Sequence, residues 1–247
     1  MQPIWNWFRW LYETTGINLT IFYDPYDRHR FFDGFLTSLE LMASCVVLSV
    51  IVGVVGAWVQ GSRSKTLRLV VGGYIQAFRN TPPLIQLYFF YFGLGSYITI
   101  ELANGRTVPL VSNFVWAILC LSINAGAFNV EIFRSGIEAV PSTTVEAAEA
   151  LGYNRLKAYI YIVLPLAFRI SLPALNNNLV NLIKTTTLAY AIAVPEMLYV
   201  SNQIWSDNLN VPEMMNVLLI VYVGLVGLFV MGMTRLERAL RVPGIGV

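Results

Sequence analysis

Charged side chains are scarce in this chain: Asp, Glu, Lys and Arg together make up 12% of its 247 residues, about half the share usual in soluble proteins. A soluble globule of this length needs more polar surface. Hydrophobic residues reach 56% and the mean hydropathy is +0.61, so the chain reads as an all-α, polytopic membrane protein. Neither sign of charge dominates, and a net charge of +2 excludes the basic footprint of a nucleic-acid binder. Histidine occurs once, at His29, with no ligand cluster beside it, so no metal site or catalytic constellation is expected. Cys45 and Cys120 sit in apolar runs and read as small buried hydrophobes rather than a disulfide. No G-x-x-x-x-G-K followed by Ser or Thr occurs, which leaves no nucleotide site in this chain. The first residues lack a basic region ahead of an apolar core, and no cleavable signal peptide is expected.

Crossing about 30 Å of hydrocarbon takes roughly 20 apolar residues. Residues 41–60, 109–130 and 214–234 are uncharged and are read as spans. Residues 81–100 are uncharged too, with Arg79 at their cytoplasmic end. The stretch 69–78 before them is too short to cross alone and lies at the interface or extends that helix. A fifth span falls at 170–197 although it holds Lys184, four asparagines, Pro173 and Pro195. A helix there survives only if its polar face meets protein or water instead of lipid. The expectation is five transmembrane helices in one domain, without internal repeats.

Charge asymmetry orients them. Arg63, Lys65 and Arg68 follow the first span, Arg134, Arg155 and Lys157 follow the third, and Arg235, Arg238 and Arg241 follow the last. On the other side, 101–108 has only Arg106 and 198–213 has no Lys or Arg. The positive-inside rule then places the 135–165 loop and the 242–247 tail in the cytoplasm and the N-terminus outside. Residues 1–33 vote against this with Arg9, Arg28 and Arg30, offset by Glu13, Asp24, Asp27 and Asp33. Trp5, Trp7, Phe8, Trp10 and Tyr12 suit an interfacial helix at the outer headgroups; an aromatic substrate cage is the alternative.

The polar segment 146–165, EAAEALGYNRLKAYIYIVLP, carries too many charges to cross the bilayer. Its apolar residues Ala147, Ala148, Leu151, Leu156 and Ile160 suit two short amphipathic helices joined at Gly152. Such a pair is either a solvated loop or a stiff knob for a soluble partner, with Glu146 able to reach a partner arginine and Pro165 ending the loop.

Within the spans, Asn177, Asn181, Lys184 and Thr185 fall at i, i+4, i+7 and i+8, on one helical face. Two readings stay open: contact with a substrate carboxylate, or interhelical hydrogen bonds. Asn124, in LSINAGAF, is a further candidate pathway residue, with Ala125, Gly126 and Ala127 allowing close helix approach and Glu131 on the same face. Arg79 and Pro82 open the second span as an anchored helix start or as a gate.

The 146–165 segment resembles the EAA loop of ABC importer permeases: E-A-A, three residues, G, nine residues, then I-x-L-P. Glu146, Ala147, Ala148, Gly152, Ile162, Leu164 and Pro165 fill every specified position. AFRNTPPLIQLYFFYFGL (77–94), EIFRSGIEAVP (131–141) and LIKTTTLAYAI (182–192) resemble the polar amino acid branch of these permeases. The resemblance covers 34–241, a type I importer transmembrane domain with its coupling loop at 141–165. Residues 1–33 form an extracytoplasmic or interfacial segment outside it.

The resemblance implies a permease that is not itself an enzyme, in a bacterial inner membrane, importing polar amino acids of the glutamate, glutamine and aspartate kind or basic ones. The stretch ERALRVPG (237–244) is similar to the tails of acidic and glutamine systems. The implied partners are two ATP-binding subunits that bind ATP and Mg, a second permease (identical or related), a solute-binding protein and membrane lipid. The rivals are a permease for an opine or sulfur compound, and an ion-coupled secondary transporter, for which Glu40 is the only carboxylate near a span interior.

Overall fold

The computed structural model describes residues 2–101 and 105–240; Arg241 and the 242–247 tail lie outside the described residues. A short helix α1 (Gln2–Thr15) and a single turn α2 (Thr20–Tyr23) precede the long α3 (Pro25–Gln60). Proline at the first position of α3 loses no intrahelical bond and presets φ for the helix. Then come α4 (Lys65–Arg79) and α5 (Pro83–Tyr88), followed by a π-helical turn (Phe89–Leu94) and a 3-10 turn (Gly95–Tyr97). An exposed hairpin of β1 (Thr99–Glu101) and β2 (Thr107–Pro109) pairs Ile100 with Val108. After it follow α6 (Asn113–Glu138), α7 (Ser142–Ala150) and α8 (Arg155–Ala158). A π-turn (Tyr159–Val163) leads into α9 (Leu164–Thr185) and a 3-10 turn (Thr186–Ile192); α10 (Met197–Asn208) and α11 (Val211–Leu240) complete the order.

Among the described residues, four helical runs are long and apolar enough to cross a membrane: Pro25–Gln60, Asn113–Glu138, Arg155–Ile192 and Val211–Leu240. Three of them contain the uncharged runs at 41–60, 109–130 and 214–234, all but the first residues of the second. The fourth departs from the expected 170–197. It starts at Arg155 and stops at Ile192, where Ala193 turns left-handed (φ 57°) and Pro195 follows where a helix cannot continue. Residues 81–100 are helical only to Tyr97, shorter than the roughly 20 residues a crossing takes. The stretch 69–78 belongs to a helix of its own, α4, started by Ser64, whose hydroxyl accepts from Leu67 N–H. The 198–213 loop is largely helix α10, capped by the Glu196 carboxylate, which accepts from Leu198 N–H (3.0 Å) and Tyr199 N–H (2.8 Å).

The chain separates into two compact units. The first comprises Met1–Ser44, Leu87–Ile118 and Ile183–Gly227. Its core joins Ile21, Val200, Ile204 and Met214, with Phe22 and Trp205 packed against them. Polar ties hold the N-terminal segment there: Asn18 N–H donates to Glu213 (3.0 Å), Asn210 donates to the Asn18 carbonyl (2.8 Å), and Arg30 pairs with Asp207 (2.9 Å). The expected boundary at 33–34 therefore falls inside α3, and residues 18–30 are part of this unit's packing. The aromatic cluster packs largely on the segment that follows it, Phe8 stacking on Phe22 at 4.5 Å and Tyr12 on Tyr23 at 6.4 Å, while Trp7 and Trp10 stay exposed.

The second unit comprises Cys45–Gln86, Leu119–Leu182 and Leu228–Val247. Here α3 and α6 touch closely: a Cβ added at Gly53 would stand 2.4 Å from Asn129 Cβ, so only glycine fits. A separate cluster of Val140, Val163 and Ala167, with Val145 and Ile170 against it, roots the segment between α6 and α9.

Candidate functional site

Two helices meet at Gly152 as the spacing predicts, although the second is not short but runs on toward α9, and the turn has an identifiable mechanism. Gly152 is left-handed (φ 87°). Tyr153 N–H donates to the Ala148 carbonyl (3.1 Å) and Gly152 N–H to that of Glu149 (3.0 Å), the paired bonds of a Schellman C-cap. An added Cβ at Gly152 would meet nothing within 4 Å, so the glycine serves backbone conformation rather than close approach. Asn154 then caps α8 by accepting from Lys157 N–H (2.9 Å), and Arg155 pairs with Glu149 (3.3 Å) across the turn. Ala148 is buried and roots α7, whereas Glu146 and Ala147 are exposed. Leu151 and Leu156 are 79% and 68% exposed, so the turn presents an apolar tip. Ile162 is half-buried in the π-turn, and Leu164 and Pro165 open α9. Pro165 does not end the loop: the helix runs on from Arg155, and the wider π-turn ahead of it precedes the position where an N–H is missing.

The polar stripe of α9 is largely open to its surroundings. Asn177, Asn181 and Lys184 are exposed and Thr185 is half-buried. No acidic group pairs with Lys184 among the described residues. The neighbouring Asn178 makes an interhelical bond, donating to the Ala125 carbonyl (3.0 Å) and to Asn129 Oδ1 (2.8 Å). Sequence reasoning passed over Asn178 because a run of three asparagines does not reveal which one turns inward.

Asn124 closes a broken helix. Between α4 and α5 the chain unwinds at 80–82, because Pro82 and Pro83 cannot donate to the preceding turn. Asn124 Nδ2 donates to the freed Phe78 carbonyl (3.2 Å) and to Gln86 Oε1 (2.9 Å). Gln86 in turn donates to the carbonyls of Phe78 (2.9 Å) and Thr81 (3.0 Å). Side chains and a neighbouring helix thus re-satisfy backbone groups that lipid cannot. Asn124→Leu leaves the Gln86 carbonyl oxygen without that partner, at a cost of about 1–3 kcal/mol. The expected result is a lower Tm of the detergent-purified protein and faster amide exchange in 76–90; an unchanged Tm would show that the break holds without Asn124.

Glu131 finds the partners that its sequence neighbourhood left open. It stands 3.4 Å from Arg134 and 3.8 Å from Arg79, while Arg79 also lies over the Phe128 ring at 5.3 Å. Arg79, Phe128 and Glu131 line a cleft of about 480 Å³ with Ser135 and Asn178 on its wall. Arg79 ends α4 rather than opening a span. In the other unit, Glu196 went unnoticed because a single acid before an apolar run is an unremarkable signal. Burial holds its carboxyl above the usual range, against the bonds from Leu198, Tyr199 and Tyr222.

The chain is similar to known proteins over most of its length. The model of the family described as binding-protein-dependent transport system inner membrane component matches residues 47–242. The octopine transport system permease protein OccM of Rhizobium radiobacter is 31% identical over 223 residues, covering 88% of this chain and 90% of OccM. The histidine/lysine/arginine/ornithine transport system permease protein HisM of Salmonella typhimurium is 34% identical over 181 residues, 72% of this chain and 75% of HisM. Among solved structures, an amino acid ABC transporter with histidines superposes with a TM-score of 0.75 at 28% identity, covering 86% of this chain and 94% of its own. The MetNI methionine ABC transporter superposes with a TM-score of 0.68 over 89% of this chain and 99% of its own, at 18% identity a likeness of fold alone.

Proposed function

The chain belongs to the family of binding-protein-dependent transport system inner membrane components, and on that premise we propose that it is the permease subunit of an ABC importer for polar amino acids. The observation that carries the reading is the exposed, capped helix pair at 142–158, with all seven motif positions in place, on a chain aligned over most of its length with permeases. Basic amino acids or their opine derivatives are the favoured cargo, since those are what the relatives' names specify. Family membership sets the ion-coupled secondary transporter aside.

In this reading the permease crosses the membrane five times, α4 and α5 with the turns after it together forming the second crossing around the break at 80–82. The basic loops and the 141–165 segment face the cytoplasm, and the N-terminus lies outside with α1 resting at the headgroups. Two ATP-binding subunits receive the 142–158 knobs of two permeases, identical or related. The nucleotide is bound and hydrolysed there and not in this chain. Closure of those subunits draws the knobs together, and because α8 continues through the π-turn into α9 as one helical run, the movement passes to the helix carrying Asn177, Asn181 and Lys184. A solute-binding protein delivers the amino acid from outside.

Copurification from native membranes in mild detergent, with each associated chain identified by mass, tests this. An ATP-binding subunit in the sample is expected, and a preparation that holds only this chain and hydrolyses no ATP would sink the reading. Uptake competition among arginine, octopine, glutamate and glutamine then orders the cargo.

A further inference from the structure

Two adjoining clefts in the second unit have complementary chemistry. One, of about 350 Å³, is walled by Val54, Phe133, Leu164 and Phe168. The other, of about 650 Å³, shares Ala57, Trp58, Ile137 and Tyr159 with the first and continues to Gln60, Ser62, Arg68 and Arg134. An apolar groove thus opens into a polar one at the end of α3. Trp58, 78% exposed, stands where they meet, the depth at which tryptophan is favoured in a bilayer.

The polar cleft carries unspent cationic and donor capacity. Arg134 is engaged by Glu131 (3.4 Å) and Glu138 (3.6 Å). Arg68 forms no ion pair among the described residues, and Glu138, the one acid on this wall, is taken up by Arg134. The Ser62 hydroxyl is buried without a hydrogen-bond partner, which is costly unless something accepts from it. Arg63 and Lys65 add exposed positive charge on either side of Ser64.

We propose that these clefts together bind an anionic glycerophospholipid. One acyl chain fills the apolar groove; the phosphate lies against the Arg68 guanidinium and accepts from Ser62, with Gln60 beside it. A zwitterionic choline head would bring a second positive charge toward Arg63, Lys65 and Arg68, and a free phosphate would leave the apolar groove empty. Basic side chains just outside a membrane helix attract anionic lipid in this way. The proposal does not depend on the cargo or on transport.

The test is native mass spectrometry of the detergent-purified, delipidated complex, titrated with phosphatidylglycerol, phosphatidylcholine or glycerol 3-phosphate. Phosphatidylglycerol should be retained on this chain about tenfold more strongly than phosphatidylcholine, and Arg68→Gln should weaken it about fivefold, the effect of one basic group at a lipid surface. Arg68→Lys should keep most of the retention. Val54→Trp, which fills the apolar groove, should weaken lipid retention without changing any binding of glycerol 3-phosphate. Equal retention of the two lipids, unchanged retention in Arg68→Gln, or competition by glycerol 3-phosphate at the concentration of the lipid would each overturn the proposal.

Discussion

Glu146→Arg is expected to bring uptake to background and to remove the stimulation of ATP hydrolysis by loaded binding protein, while membrane insertion stays normal. Glu146 is exposed on α7, makes no ion pair among the described residues, and stands two residues before Ala148, which anchors the helix. Its charge is therefore free for a partner, unlike that of Glu149, which Arg155 occupies at 3.3 Å. Removing one member of a desolvated charge pair costs about 2–5 kcal/mol, and reversal adds repulsion. Docking then weakens by roughly 30-fold or more, since each 1.4 kcal/mol is about tenfold. Reconstituted proteoliposomes with all subunits give both readouts. Undiminished uptake in this variant would remove Glu146 from the coupling contact.

Lys184→Met should lower uptake about tenfold or more, with the complex still assembled and its resting ATP hydrolysis retained. A lysine at membrane depth costs about 2.5–3.5 kcal/mol on insertion scales, and no acid pairs with it among the described residues. Its exposure, on the same face as Asn177 and Asn181, leaves water, substrate or a second permease as its surroundings. A substrate carboxylate would show itself as a rise in KM, partly restored by Lys184→Arg. Normal uptake with normal assembly would return Lys184 to packing, the other reading of the stripe.

Much of the candidate coupling site was legible because its geometry is local. The amphipathic spacing on either side of Gly152, and glycine where a helix must end left-handed, need only neighbouring residues to be understood. The same locality explains the apolar cores of α3, α6 and α11. Legibility failed where elements meet. Residues 81–100 have the composition of a span, yet Pro82 and Pro83 break the helix before them and it ends at Tyr97; only the bonds from Asn124 and Gln86 show how the break is tolerated. The 198–213 stretch looked like a loop because it is polar, but Glu196 caps it into α10 and Ile204 buries it.

The sequence by itself determined that this chain lies in a membrane, where its uncharged runs fall, and that a helix pair joined at Gly152 interrupts them, since hydropathy, helical period and glycine's backbone freedom act over a few residues. Only the tertiary structure decided that Glu131 answers to Arg79 as well as Arg134, that Asn178 rather than Asn177 turns inward, and that Ser62 and Arg68 share one cleft. Those facts depend on which face of each helix meets the next, and a face is chosen by packing across distances that no local pattern records.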